Sequence, residues 1–261
     1  VGFVIFAAVS LLSGIAFVAI VSHYYKTLNT AVFSHYAKKD YKMGALKSSS
    51  PFMALYKKEL RRLSSCTIYA LNSCIGIVLL FVVAVMAVFF MPSTLRQQVE
   101  VMGIMIVIQN IMPIALAIFV SMTSTTAASL SLEGKNRWIM CSVPTQARTV
   151  YNSKIAVNLT VILPVLYISA ILIRIVIPCS LMQTVLMFVI PTVYAFFISV
   201  LGIYLNIKFP KYDWTSEYYA VKGGAISVLA TTLGGMASSL TPLYLCIIFP
   251  HYQMIIMLGI T

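Results

Sequence analysis

Apolar stretches longer than a soluble core can use set the limits for this chain. Thr67–Met91, Val101–Ser129, Ile155–Ile177, Gln183–Leu205 and Gly223–Ile248 each exceed the ~20 residues that a helix needs to cross a bilayer. Val1–Val21 reads as an earlier span and Gln253 opens a later, truncated one. A β-barrel would show ~10-residue segments of alternating polarity instead. Only 9% of residues are charged, against roughly a quarter in soluble domains. The fold class expected is an all-α polytopic membrane protein, with six complete transmembrane helices and a partial seventh over residues 253–261.

Charge fixes the orientation. The segments 22–65, 131–154 and 206–222 hold nine, four and three Lys or Arg, leaving only Arg96 and Arg174 of the eighteen. Basic loops stay in the cytoplasm, so these three segments face inward and Pro92–Glu100 faces outward. The net charge of +12 is thereby a topology signal, and its alternation between loops argues against nucleic-acid binding. Arg174, near the outer end of its span, is read as snorkelling to the headgroups.

Two inner segments have further character. Ser48-Ser49-Ser50-Pro51 is a helix start, with a serine cap and proline in the first turn. Phe52, Leu55, Tyr56, Leu60 and Leu63 then recur at helical spacing, with Lys57, Lys58, Arg61 and Arg62 mainly on the other side and Glu59 among them. This pattern suits a basic amphipathic helix over 51–65 lying in the headgroup layer; an extension of the next span is the plainer alternative. The loop Ser131–Lys154 carries Lys135, Arg137, Arg148 and Lys154 against Glu133 alone. So charged a loop between spans is expected to lie in water. In the third inner segment Trp214, Tyr212, Tyr218 and Tyr219 suit an interfacial aromatic belt.

The spans themselves are chemically sparse. All six acids fall in loops or interfacial segments. Ion-coupled carriers generally use buried ionisable groups, so a secondary transporter is disfavoured, as is a membrane enzyme built on paired acids. His23, His35 and His251 are scattered. The five cysteines, Cys66, Cys74, Cys141, Cys179 and Cys246, form no CxxC pair, and no metal site is expected. Cys179 and Cys246 both fall near the outer face, where a disulfide and two small buried side chains are both open. Gln109 and Asn110 sit inside a span, either lining a polar path or bonding between helices. Pro113, Pro164 and Pro191 are candidate kinks. Ala230, Gly234, Gly235 and Ser239 give small-xxx-small spacing. No GxxxxGK[ST] phosphate loop is present, so no cofactor is expected on this chain.

The order of elements resembles the permease subunit of type-two ATP-binding-cassette exporters. The residues that carry this are LYKKELRRLSSCTIYALN (Leu55–Asn72) ahead of two spans, then Glu133, Pro144 and Lys154 in order. EGKNRWIMCSVP and NIKFPKYDW, with Glu217 and Val221-Lys222, resemble a bacterial permease subgroup of that family. The resemblance covers residues 51–261 and implies an exporter-type transmembrane domain there. It implies that Glu133–Pro144 is a coupling helix docking an ATPase, through Glu133, Gly134, Lys135, Asn136, Arg137, Trp138 and Pro144. Glu133 would pair with a base of the motor or cap that helix. Residues 1–22 would be the last span of a preceding, fused or dimeric permease half, and 23–50 a cytoplasmic linker. The function implied is ATP-driven export of an unidentified substrate across the cytoplasmic membrane, with ATP and Mg on a separate nucleotide-binding subunit and no enzyme activity on this chain. A membrane-anchored scaffold or sensor without transport is the alternative.

Overall fold

The computed structural model describes residues 11–23, 25, 49–90, 104–222, 225–248, 256 and 259. They divide into two units, 1–48 and 49–261, each taken by itself. In the first, an apolar helix α1 covers Leu11–His23, within the span expected over Val1–Val21. The start of that span and nearly all of the linker lie outside the described residues. So do the turn with Arg96 and all but two positions of the segment from Gln253.

The second unit is helical, with no strand among the described residues. Helix α2 (Pro51–Ser65) starts as expected: the Ser50 hydroxyl accepts from the Met53 N–H, and Pro51 occupies the first turn. One extended residue, Cys66, separates it from α3 (Thr67–Phe90). Next come α4 (Ile104–Ser121), the short α5 (Thr126–Ser129), a 3-10 turn (Ser131–Asn136) and α6 (Arg137–Ser142). The long helices α7 (Ala147–Val176) and α8 (Leu181–Lys208) are followed by α9 (Glu217–Val221) and α10 (Ile226–Ile248). Among the described residues, five segments are long and apolar enough to cross a membrane: Thr67–Phe90, Val107–Ser142, Ala147–Val176, Leu181–Lys208 and Glu217–Ile248. Helices continue through Pro113, Pro164 and Pro191.

One correction concerns the third span. Read from sequence it runs unbroken to Ser129, but its helix ends at Ser121 and the backbone turns before α5. The residues there are Ser121, Thr123, Ser124, Thr125 and Thr126. Such side chains offer the backbone hydrogen bonds that compete with a helix ladder. Thr123 Oγ1 and Ser121 Oγ reach back to Phe119 O and Ala117 O, and the Ser124 hydroxyl accepts from the Ala127 N–H.

The break is held at the centre of the bundle by glycines from three helices. Gly76 of α3 packs on the Phe119 carbonyl, Gly202 of α8 on Ser124 and Thr126, and Gly235 of α10 on Ser121. In lipid little transfer energy is gained when apolar helices meet, so close approach through small residues does the joining. Gly235 and the buried Ser239 confirm the small-residue face expected on α10, whereas Gly234 is only in ordinary contact with Leu201. Leu80, Ile114, Ile162, Leu166, Met187 and Ile198 are fully buried in the larger apolar core.

Candidate functional site

The charged residues of α2 do not face where its apolar spacing suggested. Lys58, Glu59 and Arg62 turn inward with Leu63, and Glu59 is only 3% exposed. Phe52, Met53 and Leu60 face outward together with Lys57 and Arg61. A helix lying in the headgroup layer would turn its apolar stripe inward and its charges to water. Here the stripe through residues 55, 58, 59, 62 and 63 is recruited by opposite charges from two other elements.

Those charges are Glu133 of the 3-10 turn and Lys154 of α7. Both Glu133 carboxylate oxygens lie 2.9 Å from Lys58 Nζ. Arg62 reaches the same carboxylate at 3.1 and 3.2 Å. Lys154 Nζ donates to Glu59 Oε1 at 2.7 Å, to the Ser129 carbonyl at 3.2 Å and to Glu133 Oε1 at 3.3 Å. Arg62 also lies 3.8 Å from Glu59. Three cations thus surround two carboxylates, and the cluster keeps one excess positive charge. Lys58 stands at its edge; Glu59, Glu133 and Lys154 are buried. Glu59 Oε2 and Arg62 NH1 make no hydrogen bond. Lys154, Arg62 and Lys58 together offset the burial of the Glu133 carboxylate. Removing one partner from so buried a set costs ~3–5 kcal/mol, because a charge is left uncompensated.

This corrects the expectation that the loop from Ser131 lies wholly in water. Ser131, Leu132, Glu133 and Gly134 are buried. Glu133 is engaged inside the chain, and it does not cap α6, whose N-cap Asn136 makes no side-chain bond. Gly134 takes a left-handed φ of +50°, and a side chain there would strike the Trp214 ring at 2.8 Å. The Trp214 indole N–H donates to the Ser131 carbonyl at 2.8 Å. Trp214 therefore supports this turn and is not free to serve an aromatic belt. Tyr212 lies beneath the Arg137 guanidinium, 4.7 Å from ring centre to Cζ.

Beyond Gly134 the chain emerges. Lys135, Asn136, Arg137, Trp138 and Pro144 are exposed, and α6 has no buried residue. Trp138 is 66% exposed, with Ile139 and Val143 about half exposed beside it. Clefts of about 490 and 360 Å³ flank the helix, towards α7 and α2 respectively. A basic and aromatic knuckle thus stands clear of the bundle on a base clamped by the ion cluster.

Gln109 and Asn110 belong elsewhere. The Gln109 amide donates to the Pro178 carbonyl, and Asn110 accepts from Gln183 Nε2 at 2.7 Å. They tie α4 to the turn after α7 and to the first turn of α8, which is the interhelical role. Arg174 donates to Thr184 Oγ1 at 3.0 Å at the same end. All five cysteines are free thiols. Cys66 donates to Glu217 at 2.8 Å, and burial together with that carboxylate pushes the thiol up to about 11.

Two asparagines were missed from sequence. Asn158 Oδ1 accepts from the Thr125 N–H and hydroxyl at 2.8 and 3.0 Å, while its Nδ2 donates to Ser199. Asn206 Oδ1 accepts from the Leu130 and Ser131 N–H groups, and its Nδ2 donates to Ser131 and Ser227. Tyr69 donates to the Thr125 carbonyl. The signal was available: an amide inside an apolar run needs a partner, and the hydroxyl-rich stretch 121–131 offers the backbone groups it would serve.

No curated protein and no solved structure matches the chain. A family model described as a membrane protein of 12 TMs matches residues 2–261. With five helical segments able to cross a bilayer, this chain is an integral multi-pass membrane protein and belongs to that twelve-span family.

Proposed function

We propose that this chain is the membrane component of an ATP-driven exporter, with α6 as the element that docks a separate ATPase in the cytoplasm. The observation that carries this is the contrast between α6 and its base. A helix without a buried residue presents Arg137, Trp138 and Ile139, while Glu133 just before it is clamped to α2 and α7. Force on such a knuckle is delivered to the spans through the cluster. The positive-inside pattern of the basic loops supports a cytoplasmic α6. ATP and Mg would then be bound and hydrolysed on the partner, which must bind two states of the permease with different free energy. The twelve spans of the family description support the reading of residues 51–261 as one of two permease halves.

A second reading, a membrane-anchored scaffold or sensor, has one observation in its favour. The polar groups at the helix break bond to one another. Co-purification separates the two. The full-length protein is expected to retain an ATPase, and Trp138→Asp to lose it while inserting normally. Glu133→Ala combined with Arg137→Ala is expected to weaken the same association. Unchanged ATPase retention in Trp138→Asp would overturn the docking assignment.

A further inference from the structure

We propose that a groove between α3 and α10 holds one anionic phospholipid, its phosphate on Lys222 and an acyl chain along the apolar walls. The groove has a volume of about 230 Å³, with Asn72 and Ile75 of α3 on one side and Val228, Leu229 and Leu233 of α10 on the other. Lys222 lies at the end where α9 stops. That end is closed by the Asn72 amide, which donates to the Val221 carbonyl at 3.3 Å and pins α3 to α9.

The chemistry of the lining selects the occupant. Ile75, Leu229 and Leu233 are 49, 58 and 65% exposed, so the groove opens through its apolar wall. On a membrane-spanning bundle such a wall meets acyl chains. Lys222 is exposed, and none of the ion pairs among the described residues includes it. Tyr218 and Tyr219, exposed one turn earlier and packed edge to face, are the amphipathic rings expected at headgroup level. An ammonium at one end of a slot with apolar walls matches an anionic headgroup followed by a hydrocarbon tail. A zwitterionic lipid fits the walls but gains less from the lysine. The groove also reaches Met122, the first residue of the break, so a bound lipid would touch the interrupted span directly.

The test is native mass spectrometry of the detergent-purified full-length protein, titrated with phosphatidylglycerol or phosphatidylcholine. Phosphatidylglycerol is expected to be retained preferentially. Lys222→Ala should weaken that retention about fivefold, the equivalent of ~1 kcal/mol per surface lysine, and Lys222→Arg should restore it. Leu229→Trp, which fills the slot but keeps the charge, should displace both lipids; Lys57→Ala on α2 should displace neither. Soluble glycerol phosphate should not compete. Equal retention in the wild type, Lys222→Ala and Leu229→Trp would overturn the proposal. So would displacement by glycerol phosphate alone, or a cysteine at 229 cross-linking to another helix of the full-length protein or of a second copy.

Discussion

Two polar regions are buried in this bundle around α5, and they are held together by different physics. At the break and just past α5, Asn158, Asn206, Tyr69 and Ser227 satisfy the turning backbone with neutral donors and acceptors, and the oxygen and nitrogen of both asparagine amides are engaged. At the cluster, three cations meet two carboxylates and Glu59 keeps an idle oxygen. A neutral network in which each amide bonds to several elements favours one geometry. A charged set with a surplus cation can be paired in more than one way, because Arg62 and Lys154 each reach both carboxylates. The first region holds the spans in one arrangement, and the second joins α2, the 3-10 turn and α7.

The comparison can be broken most forcefully at Lys154. Lys154→Met leaves two buried carboxylates with less compensation, and a loss of ~3–5 kcal/mol in unfolding free energy is expected, read from chemical denaturation in detergent. A loss below ~1 kcal/mol would mean that the cluster does not tie α2 to α7. At the break the expected effect is smaller. Asn158→Leu strands the Thr125 N–H, which costs ~1–3 kcal/mol, and hydrogen exchange at residues 123–126 should quicken while exchange in α2 stays as it was. Quickened exchange in both places would show that the regions are one unit. The glycines span the range from an effect of similar size down to none, and they sharpen where the break is held. Gly76→Ala drives a methyl into the Phe119 carbonyl, an overpacking cost of ~1–3 kcal/mol. Gly234→Ala meets only Leu201 at 3.5 Å and should leave the melting temperature unchanged.

The spans were legible because length and hydropathy decide them almost alone; even the start of α2 at Ser50-Pro51 stands as read. What misled was the facing of side chains. Lys58, Glu59 and Arg62 look like a solvated stripe until Glu133 and Lys154, distant in sequence, are brought beside them. The same distance hid Trp214, whose indole meets Ser131 across a long stretch of chain. The interrupted third span was obscured for another reason. Serine and threonine count as nearly neutral in hydropathy, so Ser121–Thr126 passes for span although its hydroxyls compete with the ladder. Tertiary pairing is carried by no local pattern, whereas the break was written in residues that could have been weighed differently.

Cys141 on α6 is the one exposed thiol among the five, three residues after Trp138. A sulfhydryl dye would therefore attach first at the knuckle without any engineered change. Its fluorescence and labelling rate would follow whatever approaches or shields that helix, making the native chain its own reporter of assembly.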